Sequence, residues 1–202
     1  MSLRLKISTV GEPVLRQIGR ELTVDEVKSP ETQRLIEQMR ETLRDAPGVG
    51  LAAPQVGASL QLAVIEDRAE YHQGIPEEEL VRRERTPVPF HVVINPKLRL
   101  LSEPDVIFFE GCLSLPGFTA LVPRARRIEV DCLDHKGEPM RVEAHGWYAR
   151  ILQHEIDHLN ATLYIDRMLS HSFVSMENYG RYWKDKSIEE VEKLASCEVR
   201  GR

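Results

Sequence analysis

This chain of 202 residues has no long apolar run and no excess of basic residues, and each absence argues against a class of protein. No segment approaches the roughly 18 consecutive apolar residues that a membrane span requires. Residues 1–6 lack the apolar stretch of a secretory signal. The formal net charge of -5 argues against broad nucleic-acid binding, which needs a basic face. We therefore expect a cytoplasmic protein that binds neither membranes nor specific nucleic-acid sequences.

The apolar pattern predicts an α+β chain with a single domain over residues 1–202, in which a tail or helix begins at about residue 170. Ser29 can cap a helix that has Pro30 at its first position and ends near Pro47. The polar segment 66–89 is interpreted as a solvated surface loop or short helix. Further predicted elements are strands at 60–65, 92–101, 106–109, 127–134 and 139–144, the last two forming a hairpin, and an amphipathic helix at 187–194.

The segment 153–158, Gln-His-Glu-Ile-Asp-His, contains an H-E-x-x-H pattern on a helix predicted over 147–159. One helical turn separates His154 from His158, so both imidazoles lie on one face with Glu155 beside them. This pattern is typical of hydrolases that use metal-bound water. The pentapeptide also arises by chance in helices whose histidines are simply solvated or hydrogen-bonded, so the metal interpretation needs a third ligand.

Cys112 is the candidate for that third ligand, since catalytic metal sites usually offer three protein ligands. No histidine follows His158 at the spacing of a metzincin, and the downstream glutamate of a thermolysin-like site fits poorly. Cys132 is interpreted as a small buried hydrophobe and Cys197 as an incidental exposed thiol. Cys112 differs because it lies between a glycine and a proline-glycine turn.

A glycine-rich segment at 48–57 lacks both the phosphate-binding and the dinucleotide-binding signatures, so it does not indicate a nucleotide site. Its glycines allow the backbone to approach a ligand closely. Gln55, in the middle of this segment, could donate a hydrogen bond into a cavity.

Three segments, 48–55, 110–114 and 153–158, resemble in order and rough spacing the three signature motifs of peptide deformylases. The similarity runs from Val10 to Asp166, which is most of the chain. It implies removal of the N-formyl group from nascent polypeptides that begin with formyl-methionine. It also implies antiparallel or mixed β-sheets packed around a central helix that carries HExxH, followed by a C-terminal helix.

The resemblance implies one metal ion per chain, bound by Cys112, His154 and His158. It favours Fe²⁺ in the cell, with Zn²⁺, Ni²⁺ or Co²⁺ in purified protein, because affinity order alone does not decide which ion occupies such a site. Glu155 would act as general base, and the Gln55 amide and the Leu113 backbone N–H would donate hydrogen bonds to the oxyanion.

The resemblance also suggests how the substrate binds. A close wall at Gly50 and Leu51 would exclude acetyl groups, and Glu110 could anchor the loop that carries Cys112. Arg124 could pair with a carboxylate or remain solvated. The remaining candidates for substrate binding are Gly111 and the residues expected to line an apolar methionine pocket, namely Val49, Phe108, Trp147 and Ile151.

The chain departs from the family pattern at Ala161, where many members carry glycine. Its segment 66–89 and the pair Gly117-Phe118 resemble the organellar branch, although no transit peptide is visible and we expect a bacterial protein. Removal of a transit peptide would make it organellar. Association with the ribosome through the C-terminal helix is a hypothesis that rests on the family alone.

Two other functions are compatible with the pentapeptide. A metallopeptidase that cleaves internal peptide bonds would need a further ligand downstream of His158 and would act on unformylated peptides. A non-catalytic metal-binding domain would give Glu155 no special role.

Overall fold

The fold is α+β with antiparallel sheets, as seen in a computed structural model that describes residues 4–187, 190, 191 and 193. The helices are α1 (Val24–Lys28), α2 (Pro30–Asp45), α3 (Glu77–Arg82), α4 (Gly146–Leu159) and α5 (Met176–Asn178), which leads into a π-helical turn at Tyr179–Trp183. The strands are β1 (Gly50–Ala52), β2 (Leu62–Asp67), β3 (Val88–Leu100), β4 (Val106–Cys112), β5 (Leu115–Arg124), β6 (Arg127–Leu133), β7 (Pro139–His145) and β8 (Val174–Ser175).

The strands form two antiparallel sheets. The larger sheet has five strands in the order β1-β2-β3-β6-β7, and the smaller has three in the order β4-β5-β8. Helix α4 contacts β1, β2, β3, β6 and β7, so it packs across the larger sheet. Helix α2 packs against β1 and β2.

Strand β2 is buried along its whole length because both of its faces are covered. Ala63 and Ile65 belong to the apolar cluster that contains Ile151, Leu152 and other residues of α4. Their neighbours on the opposite face, Leu62 and Val64, belong to a second cluster with Ile36, Met39 and Leu43 of α2. Side chains alternate across a strand, so the part of β2 that lies between the two helices, residues 62–65, is apolar at every position.

Local signals explain where the two long helices begin. The Ser29 side chain accepts a hydrogen bond from the backbone N–H of Thr32, and Pro30 occupies the first helical position of α2. Helix α4 begins at Gly146, whose φ of +56° disfavours residues with a side chain, and it ends at Leu159. The helix predicted from Ser29 and Pro30 is confirmed. The helix predicted over 147–159 from its apolar spacing is present and begins one residue earlier.

The predicted hairpin is also confirmed, since Leu133 pairs with Pro139 at the end of β6 and β7. Three strands were missed, namely β1, β5 and the two-residue β8. Strand β1 lies within the glycine-rich segment, and β5 begins directly after the Cys112 motif, where the Pro116-Gly117 pair had indicated a turn. Strand β4 extends three residues beyond the predicted end, so that Cys112 closes it.

The C-terminal prediction lies largely outside the described residues. Residues 190, 191 and 193 are helical, whereas Ile188, Leu194 and Cys197 fall among those that the structure does not describe. Within the described residues, no helix combines the length and the apolar character needed to cross a membrane.

Ala161 follows α4 in a left-handed conformation, with φ of +60°. Its carbonyl accepts a hydrogen bond from Arg16, which holds this turn in place. A left-handed conformation costs a residue with a Cβ roughly 1–2 kcal/mol, and glycine escapes that cost.

We therefore predict that Ala161→Gly raises the free energy of unfolding by about 1 kcal/mol, because relief of strain exceeds the added entropy of the unfolded chain. Chemical denaturation monitored by circular dichroism measures the effect. The matched control is Ala69→Gly, at an exposed position of negative φ, which should lower stability by about 0.5–1 kcal/mol. A loss of stability for both variants would contradict the strain argument.

Candidate metal centre and substrate cleft

Three potential ligands meet between α4 and the end of β4. The ligand atoms of Cys112, His154 and His158 all lie within 4.8 Å of one another. The Cys112 Sγ is 3.2 Å from the His158 Nε2, and the two imidazole centroids are 5.0 Å apart. Cys112 is far from the histidines in sequence but close to them in space, because the end of β4 lies beside α4.

These residues fit a divalent metal ion. A thiolate and two imidazoles form a donor set that Zn²⁺ and Fe²⁺ accept, and three protein ligands leave a coordination position open. The geometry therefore places a potential third ligand, Cys112, beside the two histidines.

The His154 ring is oriented by Glu110, whose Oε2 is 2.9 Å from the His154 Nδ1. Burial favours the neutral acid, but Arg124 and His154 outweigh it and hold the pKa of Glu110 below its usual range. An ionised carboxylate only accepts hydrogen bonds, so the Nδ1 carries the proton and the Nε2 is the free ligand atom. Such outer partners fix both the tautomer and the orientation of a ligating histidine.

Glu110 is itself held by two buried arginines. Arg124 donates to both of its oxygens at 2.9 Å, and Arg150 donates to Oε1 at 2.6 Å. Arg124 also pairs with Asp157 on α4, which in turn accepts two hydrogen bonds from Arg167. Arg124 is thus a buried ion-pair partner, which was one of the two alternatives left open by the sequence.

Glu155 is buried beside the three ligands and is not part of that network. Burial, more than any neighbouring charge, raises the pKa of Glu155 to about 7. Its Oε2 has no hydrogen-bond partner among the described residues. A carboxyl group with a pKa near neutrality and an unpaired oxygen is suited to exchanging protons with a bound molecule.

Gly50 of β1 lies directly against Glu155. A Cβ placed on Gly50 would be 2.3 Å from the Glu155 Oε1 and 2.6 Å from its Cδ, which is closer than real contacts allow. Glycine is therefore required here by the close approach of strand and carboxylate.

The Gln55 side chain has a fixed orientation. Its Oε1 accepts from the backbone N–H of Ala52 at 2.8 Å, so the NH₂ group points toward the metal-ligand cluster. That group donates to the Ser114 Oγ at 3.2 Å and lies 3.5 Å from the Cys112 Sγ. Leu113 occupies the turn between β4 and β5, beside Cys112.

A cleft of about 810 Å³ opens above these groups. Six of the eight predicted substrate-binding residues line it, and these are Val49, Gly50, Glu110, Gly111, Trp147 and Ile151. The other two lie elsewhere. Leu51 is fully buried in the core under α2, and Phe108 lines an adjoining cavity of about 190 Å³.

Sequence reasoning missed Arg83 and Arg85, which also line the cleft. Both come from segment 66–89, which was interpreted as a solvated surface loop or short helix. A short helix is present at Glu77–Arg82, but the segment also lines the cleft, which the interpretation did not include. Sequence reasoning also missed Arg150, which is buried on α4 and reaches Glu110. The one sequence signal for Arg150 was its position among apolar residues of a predicted helix, where a buried arginine needs an ionic partner.

Comparison with known proteins agrees with this geometry. Residues 4–173 match the family model described as polypeptide deformylase. A chloroplastic peptide deformylase 1A of Solanum lycopersicum is 45% identical over 172 residues, covering 85% of this chain. Peptide deformylase 3 of Streptomyces avermitilis is 43% identical over 185 residues, covering 92% of this chain and 80% of that protein.

The fold is similar to a class I type b peptide deformylase from Acinetobacter baumannii, whose crystal structure has Met-Ala-Ser bound. The TM-score is 0.73 at 31% identity, over 83% of this chain and all of that one. The chain spans only 62% of the length of the Solanum lycopersicum relative.

We predict that Cys112→Ala loses metal, because two imidazoles alone are a weaker donor set than two imidazoles and a thiolate. Loss of a residue that only hydrogen-bonds to a metal ligand lowers metal affinity by roughly 10- to 100-fold, and loss of a ligand itself should lower it further. Metal analysis of anaerobically purified protein measures it. Cys132→Ala, a change in the apolar core, is the control and should keep one ion per chain. Normal metal content in Cys112→Ala would exclude the thiolate as a ligand.

The family resemblance implies deformylase activity. We predict that Gly50→Ala keeps its metal but loses about 10²- to 10⁴-fold of that implied activity, measured as kcat/KM on a formyl-methionyl peptide, because the new methyl group displaces the Glu155 carboxylate. Gly180→Ala, where an added Cβ meets no atom within 4 Å, should behave as the unmodified protein. Full activity of Gly50→Ala would show that the position of this carboxylate is unimportant.

Proposed function

The chain belongs to the polypeptide deformylase family, and from this premise we propose that it is a metal-dependent hydrolase that removes the N-formyl group from polypeptides beginning with formyl-methionine. The observation that carries the proposal is the convergence of Cys112, His154 and His158 next to Glu155, at the base of a cleft. A formamide is hydrolysed most readily where water is activated and protons are exchanged in one place.

In this proposal the central helix α4, which carries HExxH, presents His154 and His158 to one divalent ion, and Cys112 completes the set. A bound ion of this kind supplies a nucleophile at neutral pH by lowering the pKa of water from 15.7 to about 7. Family resemblance favours Fe²⁺ in the cell. The donor set also accepts Zn²⁺, Ni²⁺ or Co²⁺, so the ion found after purification depends on handling.

Glu155 serves as general base and then as general acid. Its carboxylate takes a proton from water and later delivers that proton to the departing amine nitrogen, so that formate and a free N-terminus result. A positioned acid-base group of this kind contributes about 10² to 10⁴ in rate. The unpaired Oε2 and the pKa near 7 support this role.

Gln55 and Leu113 stabilise the oxyanion that develops on the formyl oxygen. The Gln55 NH₂ group already lies beside Cys112, and the Ala52 N–H prevents the amide from flipping. The Leu113 backbone N–H is the second donor. One such donor is worth about 3 kcal/mol in similar sites.

The close contact of Gly50 with Glu155 leaves little room for an acyl group larger than formyl. Val49, Trp147 and Ile151, together with Gly111, offer an apolar surface for the methionine side chain. Leu51 contributes by holding β1 in the core, and Phe108 by packing behind Trp147, with ring centroids 6.3 Å apart.

We further infer one catalytic domain over residues 1–202 and a cytoplasmic or organellar location, as expected from bacterial and chloroplastic relatives. Association with the ribosome stays a prediction, which co-sedimentation of the full chain with ribosomes would test. An internal-cleavage metallopeptidase is not favoured, because Cys112 already offers a third potential ligand and the proposal needs no residue downstream of His158.

We predict that Glu155→Gln retains one metal ion per chain and loses about 10²- to 10⁴-fold in kcat, because the amide keeps the shape of the side chain but cannot accept a proton. The assay is anaerobic turnover of formyl-Met-Ala, with acetyl-Met-Ala and unmodified Met-Ala as comparison peptides and metal analysis of the same sample. Only the formylated peptide should be consumed by the unmodified protein. Unchanged turnover in Glu155→Gln would refute the general-base role, and cleavage of Met-Ala would favour a peptidase.

A further inference from the structure

The segment between β2 and β3, residues 68–87, crosses over one side of the cleft, and we call it the strap. It contains a 3-10 turn at Ala69–His72 and helix α3. Its last part brings Arg83 and Arg85 to the cleft, where they lie with Trp147, Arg150 and Ile151. The strap is therefore one wall of the pocket assigned above to the first side chain of the substrate.

The strap is anchored at this wall by ion pairs. Arg85 forms a bidentate pair with Asp67, at 2.8 and 2.9 Å, and Asp67 is fully buried. The His72 Nε2 is 3.2 Å from the same carboxylate, so both ends of the strap meet at one residue. Glu84 pairs with Arg126 across the cavity behind Trp147. Bidentate pairs fix orientation as well as position.

Backbone strain lies between the two cleft arginines. Glu84 has φ of +48°, a conformation that costs a residue with a side chain of order 1–3 kcal/mol. It is accommodated by Gly146, since a Cβ on that glycine would lie 2.4 Å from the Glu84 Cβ. Strain of this kind persists where the surrounding structure imposes it. The conformation of Glu84 lets the side chains on either side of it, Arg83 and Arg85, reach the same cleft.

Both guanidinium groups stack on the pocket aromatic residue. The Arg83 Cζ is 4.7 Å from the Trp147 ring and the Arg85 Cζ is 5.4 Å from it. Arg83 also lies 5.3 Å from the Phe108 ring. Stacking holds the planar groups in place while leaving their edges available to donate hydrogen bonds.

Arg83 differs from Arg85 in its unused donors. Arg85 commits its Nε and Nη2 to Asp67, whereas Arg83 uses only its Nε, on Glu79. Within the described part of the chain, neither terminal nitrogen of Arg83 makes a hydrogen bond. Glu79 also neutralises Arg82, so one carboxylate serves two cations and a positive charge remains at this wall.

We propose that Arg83 is a specificity-determining residue that donates a hydrogen bond to the tip of the first side chain of the substrate, so that the chain deformylates peptides beginning with formyl-methionine sulfoxide as well as formyl-methionine. The inference rests on the proposed function and extends its substrate class. A thioether sulfur is a weak acceptor, and its sulfoxide oxygen is a strong one. Norleucine has the same length as methionine but no acceptor.

The test compares three peptides, formyl-Met-Ala-Ser, formyl-Met(sulfoxide)-Ala-Ser and formyl-Nle-Ala-Ser, by kcat and KM measured separately. In the unmodified protein the sulfoxide peptide should exceed the norleucine peptide in kcat/KM. Hydrogen bonds to charged groups contribute about 10- to 100-fold, so Arg83→Leu should reduce the sulfoxide-to-norleucine ratio by at least about tenfold. The loss should lie mainly in KM, because Arg83 contacts the side chain and not the reacting carbonyl.

The matched control is Arg82→Leu. Arg82 shares the Glu79 carboxylate and stacks on Phe108, and it lines the adjoining cavity but not the cleft. Its loss leaves the terminal nitrogens of Arg83 in the cleft, so the ratio should be unchanged. Arg83→Lys keeps the charge and should retain part of the ratio. Thermal melting of each variant shows whether the strap remains folded.

Each outcome separates the two proposals. Failure to deformylate any of the three peptides would overturn the proposed function itself. Turnover of formyl-Met-Ala-Ser with a sulfoxide peptide no better than the norleucine peptide would overturn only the role of Arg83, and this comparison needs no variant. An unchanged ratio in a folded Arg83→Leu protein would do the same.

Discussion

The buried carboxylate of Glu110 is the group on which the rest of the site depends. It accepts hydrogen bonds from Arg124, Arg150 and His154, which come from β5 and α4, while it sits on β4 next to the Cys112 motif. Removing one partner of a buried ion pair typically costs about 3–5 kcal/mol, because the other charge is left uncompensated. The hydrogen bonds to Glu110 therefore tie the smaller sheet to α4, and they also set the ring orientation of His154, a proposed ligand.

The charges around Glu110 also suit the chemistry that we propose. Arg124, Arg150 and Arg167 carry three positive charges, and Glu110 and Asp157 carry two negative ones, so the network has a positive excess. Glu155 lies outside the network, and burial keeps its pKa near 7. Two buried carboxyl groups, Glu110 and Glu155, thus receive opposite pKa shifts from their surroundings.

Sequence patterns predicted the parts of the fold and site that depend on short-range periodicity. The spacing of His154 and His158, the Ser29 cap of α2 and the β6–β7 hairpin all follow from local geometry. Strands β1 and β5 were missed because glycine and proline, which usually interrupt strands, occur there for other reasons. Gly50 is needed for close approach to Glu155, and that approach is a tertiary contact which no local pattern reveals.

The role of the strap in the cleft also depends on tertiary contacts that no local sequence pattern reveals. Its charged residues have the composition of a solvated loop, and no periodicity separates Arg83 from Arg82, which pairs with the same carboxylate. What separates them is the backbone conformation of Glu84 and the anchoring of Arg85 to the fully buried Asp67. A charged residue in a sequence can be exposed to solvent or buried in an ion pair. Which of the two occurs depends on whether the fold places a buried carboxylate within reach of it. A positively charged wall beside an apolar pocket is therefore a property of the tertiary structure, and in our proposal it lets that pocket distinguish side chains by the acceptor at their tip.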